Sequence, residues 1–277
     1  MRVAIVIPVY RAPNEWEEVS LRQCCKVLSH YDHYIVAPEG LDLSAFYDLW
    51  TEYGLTLHEE RFDTAYFKGI KGYNSLCLSR GFYARFAEMG YAYMLIYQPD
   101  VFVFADQLEE WCIAGYEYVA PPNVGLAKEK TYRSNMPLRV GVGGFSLRST
   151  DAFLRFFDGK KSVFSLWQVL TTPSHWKRNN WWILAQALQL WYRGNTPQGV
   201  LSHWRENEDD MWSGLLSMSR YALRKPSAEE ALRFGFDRFP KEMYDRTTHR
   251  LPMGCHAWHK YEYDEFWKEI IHQYTKS

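Results

Sequence analysis

The first 62 residues alternate short apolar runs with amphipathic segments, and that alternation leaves few folds open. Arg2 to Tyr10 is a β-branched run punctuated at Pro8, Tyr34 to Pro38 is a second apolar run, and Leu55 to Phe62 a third. Between them, Asn14 to about His30 starts with Glu15, Glu17 and Glu18, acids that favour the first turn of a helix. Leu43 to Tyr53 also reads as helical. Strand–helix–strand order of this kind predicts parallel pairing through right-handed crossovers. The expected fold is therefore α/β: one domain over residues 1–277 with a Rossmann-like, mostly parallel central sheet flanked by helices.

The next strong signal is Tyr93-Met-Leu-Ile-Tyr-Gln-Pro-Asp100-Val-Phe-Val-Phe104. Tyr93 to Tyr97 suits a strand buried on both faces. Pro99 cannot donate to a ladder, so the strand should stop there and leave Asp100 just past its carboxyl end. In open α/β sheets ligands bind at that edge. An acid pinned between two apolar segments needs a cation, a metal or several N–H donors. Asp100 is read in two ways: a turn or capping residue, or a ligand-holding acid. The preceding segment, Tyr73 to Met89, reads as one long helix with an apolar face.

Further on, Pro122 to Leu138 is polar, and Val140 to Arg148 carries glycines too densely for a plain strand. Thr150 should start a helix that reaches about Phe157. Lys160 to Arg193 is rich in Trp, Lys and Arg: an acceptor groove, a membrane-facing surface, or ordinary core and solvated surface. Glu206-Asn-Glu-Asp-Asp210 is an acidic run entering a helix, where acids favour the dipole whatever else they do. Phe236 to Phe239 looks extended, and Met253 to His259 looks folded back ahead of a helix over Tyr263 to Tyr274. His259 reads as solvent-facing, and Arg148 as a phosphate contact or, more plainly, a solvated residue at a strand end.

With 32 basic and 33 acidic side chains, net charge −1, nothing in the charge balance speaks for nucleic acid. The 17% aromatic content suits sugar-stacking surfaces and large cores alike. Cys24, Cys25, Cys77, Cys112 and Cys255 make no zinc pattern and read as reduced thiols. No run approaches the ~20 apolar residues of a membrane span, and the amino end runs into a strand rather than a leader. The expected location is cytoplasmic, with contact to a membrane surface as the alternative.

Four pieces fall in chain order after Val6-Ile-Pro-Val-Tyr10: Asp100 at a strand end, Gly141, Gly143 and Gly144, the pair Glu208–Asp209, and His256 between Gly254 and Trp258. The ordered set resembles the GT-A-fold glycosyltransferases. Within that fold it looks most like a family of bacterial and fungal proteins long labelled only as a domain of unknown function. The most distinctive runs are Gln98 to Phe104, Val142 to Arg148 and Gly254 to Trp258. The resemblance implies transfer of a sugar from a nucleotide-sugar donor to a glycan or lipid-linked glycan hydroxyl, with inversion, by a transferase of polysaccharide biosynthesis. It implies a nucleotide-binding half over 1–122 and an acceptor-binding half over 123–277. Asp100 and His256 would share Mn²⁺ or Mg²⁺, with Gln98 standing where the motif usually has its first acid. Asp209 would be the base, with Glu208 beside it and Asp210 as the alternative. Gly143 and Gly144 would let backbone approach donor and acceptor. Pro8, Val9 and Tyr10 would receive the nucleotide, Glu39 would contact its base or ribose, and Asn74 would be a further nucleotide contact.

Each piece has a plainer reading: Gly143–Gly144 as a β-bulge, Glu39 as a surface-loop acid, Asn74 as a cap or first-turn residue, His256 as a satisfied structural side chain. Two other functions remain open. A nucleotidyltransferase acting on sugar phosphates would also use such a sheet, but Pro8-Val-Tyr-Arg-Ala-Pro13 has no glycine for a phosphate loop. A non-catalytic carbohydrate-binding protein would explain Gln98.

Overall fold

A computed structural model describes residues 1–124, 138–165 and 194–276. Its centre is a six-stranded sheet. Strands β1 (Val3–Pro8), β2 (Asp32–Pro38), β3 (Leu57–Phe62) and β4 (Tyr93–Tyr97) run parallel, in the spatial order β3-β2-β1-β4. Strand β5 (Val101–Val103) leaves this sheet. Beyond β4 the order continues with β9 (Phe145–Ser149), antiparallel to both its neighbours, and β6 (Tyr118–Val119). Every residue of β1 and β4 is buried, as a parallel strand covered on both faces requires. Helices α1 (Glu15–Val27) and α2 (Ser44–Glu52) share one core with that sheet face, through Leu21, Cys24, Phe46 and Trp50. On the other face Leu76, Phe82, Phe86, Phe153 and Trp212 form a second core.

Helix α1 starts where its acids said it would: Asn14 accepts from the Glu17 amide, and the Glu17 carboxylate accepts from the Asn14 amide, a reciprocal capping box. It stops at Val27, short of His30. The segment read as one helix over 73–89 is two, α3 (Gly69–Cys77) and α4 (Arg80–Glu88). The cause is Ser79. Its hydroxyl accepts from the Phe82 amide, and that cap restarts the helix rather than letting it run through. Most other predicted strands and helices appear with shifted ends; Tyr263 to Tyr274, read as one helix, is a π-turn over Tyr263–Trp267 followed by a helix over Lys268–Thr275, and Thr150–Phe157 (α6) matches outright. The acidic run leads into a π-turn over Asp210–Gly214 and a 3-10 turn over Leu215–Met218 instead of an α-helix. The Trp-rich, basic stretch lies mostly outside the described residues.

A second, three-stranded sheet sits against the end of the first. Its strands are β10 (Gly235–Phe236), β11 (Gly254–His256) and β5. Strand β11 pairs antiparallel with β5, setting His256 opposite Val101, and parallel with β10, setting Cys255 opposite Phe236. All five cysteines are free and buried. No helix among the described residues is long and apolar enough to cross a membrane.

Candidate active site

The order β3-β2-β1-β4 reverses direction of winding between β1 and β4, and ligands of such sheets bind in the crevice that opens at the carboxyl ends there. The residues at that edge are Pro8, Val9 and Tyr10 after β1 and Gln98, Pro99 and Asp100 after β4. Parallel register pairs Val6 with Ile96, so Pro8 lies level with Gln98. Pro8 and Val9 are buried while Tyr10 is 63% exposed. Glu39 follows β2 on the same edge and is exposed.

Gln98 to Val101 is a β-turn closed by the Val101 amide on the Gln98 carbonyl at 2.9 Å, with Pro99 in the position where its fixed φ helps. The turn aims Asp100 at two cations. Its Oδ2 accepts from Lys260 Nζ at 2.6 Å, and its Oδ1 lies 3.4 Å from His256 Nε2. Burial pushes this carboxyl up, but His256 and Lys260 outweigh burial and hold it below the ordinary Asp value. Thus the acid is satisfied by cations, one of the outcomes its sequence context required.

His256 is held from both sides. Its Nδ1 is 2.8 Å from Asp237 Oδ1, and its Nε2 is 3.1 Å from Gln98 Oε1. Burial would lower its pKa, yet Asp100 and Asp237 reverse that and raise it. Asp237 and Lys260 are the residues that reading the sequence missed. Asp237 lay in a stretch read only as extended, and its role depends on β10 pairing with β11. Lys260 comes four residues after His256 in a segment bent by Ala257, whose φ is 52°. His259 is not solvent-facing: it is half-buried and stacks on Trp16 with ring centroids 6.1 Å apart.

The glycine turn joins this cluster to the acidic run. Gln98 N donates to Gly144 O at 2.9 Å. A Cβ on Gly144 would fall 2.3 Å from Gln98 Oε1 and 2.5 Å from His256 Nε2. One on Gly143 would fall 2.1 Å from Glu208 Oε1. At either position a side chain would have to displace these neighbours, and consecutive Cα atoms lie only ~3.8 Å apart. The imidazole and the Glu208 carboxylate therefore flank a single dipeptide.

Glu208 itself is 2% exposed and paired with Arg148, which is 0% exposed; Nη2 meets Oε1 at 2.8 Å and Nη1 meets Oε2 at 3.1 Å. Arg148 is thus a buried ion-pair partner, contrary to the expected solvated arginine. Asn74 sits inside α3, not at its cap. Its Oδ1 accepts from the Glu208 amide and its Nδ2 donates to Asn207 Oδ1, both at 3.2 Å, so its amide ties α3 to the acidic run. Asp209 is half-buried. Burial first, then the neighbouring charges of Glu208 and Asp210, push its carboxyl up to about 7. Asp210 pairs with Arg139 at 2.5 Å.

Gln98 Oε1, Asp100 Oδ1 and His256 Nε2 make an oxygen and nitrogen donor set of the kind Mn²⁺ accepts, and Asp237 stands behind the imidazole as carboxylates commonly do behind metal-bound histidines. Among the described residues no group of three or more His, Cys, Asp or Glu is arranged to hold a metal ion. Any cation here would have to complete its coordination from bound substrate or water.

An α/β protein with its charged cluster at the switch point of the sheet is the class that fold and geometry define. The sequence profile of a family described as "protein of unknown function (DUF5672)" matches residues 56–256, and the chain belongs to that family. No curated protein matches it. Among solved structures it is similar to the galactosyltransferase LgtC in complex with donor and acceptor sugar analogues: 12% identity, 99% of this chain, 95% of that one, TM-score 0.49. It is also similar to the glycosyltransferase GlyE of Streptococcus pneumoniae TIGR4, at 11% identity over 100% of this chain and 61% of that one, TM-score 0.48. A third is core-mannan synthase A of Aspergillus fumigatus in its Mn/GDP form, at 12% identity over 79% and 70%, TM-score 0.46.

Proposed function

We propose that this protein is a glycosyltransferase that moves a sugar from a nucleotide-sugar to a glycan or lipid-linked glycan hydroxyl, with inversion. The observation that carries the reading is the Gly143–Gly144 dipeptide, with the Asp100–His256–Lys260 cluster against one residue and the Asp209 segment against the other. The two sides have opposite chemistry. On one, cations gather where a departing diphosphate would develop charge. On the other, a carboxylate with its pKa raised to about 7 suits a general base, whose ideal pKa lies near the working pH.

In this reading Asp209 takes the proton of the acceptor hydroxyl as the new glycosidic bond forms. The two glycines admit donor and acceptor to the backbone, where any side chain would intrude. Pro8, Val9, Tyr10 and Glu39 line the edge that receives the nucleotide. Asp100 and His256, the imidazole giving up its Nε2 proton, with Gln98 beside them, would hold Mn²⁺ or Mg²⁺, which when bound neutralises charge on the leaving diphosphate. Lys260 carries a fixed positive charge to the same place. Glu208, being sealed against Arg148, does not serve as the base.

The test is release of nucleoside diphosphate from a panel of nucleotide-sugars, with and without Mn²⁺, by the wild type and by Asp209→Asn. The account expects release by the wild type and loss in the variant. No release from any donor, with binding retained, would favour a carbohydrate-binding protein on this scaffold, the reading that Gln98 supports.

A further inference from the structure

Arg148 has five N–H donors, and all five are used. Its Nε donates to Ser146 Oγ at 2.9 Å; Nη1 donates to Tyr83 Oη at 2.8 Å and Glu208 Oε2 at 3.1 Å; Nη2 donates to Gly143 O at 3.1 Å and Glu208 Oε1 at 2.8 Å. One guanidinium thus binds the carbonyl of the glycine turn and the carboxylate of a residue 60 positions away. Glu208 in turn sets its Oε1 where a Cβ of Gly143 would sit and donates its own amide to Asn74 Oδ1. A buried pair serving stability alone needs neither contact with the turn nor a place next to Asp209.

We propose that Arg148 and Glu208 are positioning residues: their buried ion pair locks the Gly143–Gly144 turn to the segment carrying Asp209 and keeps a fixed negative charge beside that carboxylate. The inference rests on Asp209 being the base. The charged and titratable groups facing Asp209 are Glu208 and Asp210 from its own segment, Arg139 from β8 (Leu138–Val140) and Tyr118 from β6. Arg139 and the Asp210 amide favour the ionised form; Glu208 and Asp210 oppose it. Removing the Glu208 charge should therefore tip the balance toward ionisation.

The deciding experiment follows the Asp209 side-chain carboxyl by ¹³C NMR as pH is varied, in the wild type and in Glu208→Gln. Gln keeps the size of Glu and one acceptor for Arg148. The expected result is a midpoint about one pH unit lower in the variant. Amide hydrogen exchange in Arg148→Lys, which keeps the charge but loses the fork, should show residues 142–145 and 207–210 losing protection together. An unmoved Asp209 midpoint, or loss of protection confined to one of the two segments, overturns the proposal. Neither readout depends on turnover. If Asp209→Asn instead keeps full nucleoside diphosphate release, the base assignment fails while the NMR result stands, so the two failures are separable.

Discussion

The two sides of the Gly143–Gly144 dipeptide hold carboxylates shifted in opposite directions. Asp100 is partly buried yet held below the ordinary Asp value, because His256 and Lys260 outweigh the burial. Asp209 is half-buried and pushed up to about 7, because burial and the charges of Glu208 and Asp210 outweigh the Asp210 amide and Arg139. The same residue type is tuned to stay ionised in one place and to take up a proton in the other. Environments that push two acids apart are how one site divides acid and base work.

The largest expected effect breaks the basic side. Asp209→Asn should lower sugar transfer by on the order of 10²–10⁴ and leave donor binding, read by calorimetry, nearly unchanged. In the wild type, transfer should rise as pH passes upward through about 7, as Asp209 becomes the ionised base. Stability moves the other way. Because Asp209 binds its proton more tightly folded than unfolded, its contribution is present at low pH and lost as pH climbs to about 7. Asp209→Asn should therefore be more stable than the wild type at pH ~8 in urea titrations. Asp100, shifted down, has the opposite sign: its contribution holds at neutral pH and is lost on acidification.

Next in size is Arg148→Met, which leaves Glu208 charged, buried and unpaired. The expected loss is ~3–5 kcal/mol in denaturant unfolding. Pairing it with Glu208→Leu should recover much of that loss without recovering transfer. On the side of Asp100 and His256, Asp237→Asn keeps the size of the histidine's partner but removes its charge. It should weaken Mn²⁺ binding ~10–100-fold by electron paramagnetic resonance titration. Gly144→Ala forces a methyl into Gln98 and His256 and should cost ~1–3 kcal/mol of stability. Gly81→Ala, with open space around the same atom, is the matched control.

The contrast between the two sides was partly legible in the sequence. Strand β4 and its stop before Pro99 followed from a run of five apolar residues and a missing donor. The parallel order followed from the alternation of strands and helices. The four pieces carrying Asp100, the glycines, Asp209 and His256 were visible as an ordered set, and the fold brings the glycines against His256 and the acidic run. What stayed hidden needed distant pairing. Arg148 looked solvated because its partner lies 60 residues on. Asp237 looked incidental until β10 and β11 aligned it with a histidine 19 positions away. Ser79 was legible as a cap in principle, but the apolar face on both sides of it hid the break between α3 and α4.

One comparison tests the Asp209 assignment most directly: nucleoside diphosphate release from nucleotide-sugars by the wild type and by Asp209→Asn, with nucleoside diphosphate affinity measured on both. The assignment predicts equal affinity and release reduced by at least ~10² in the variant. Equal release by the two proteins would contradict it.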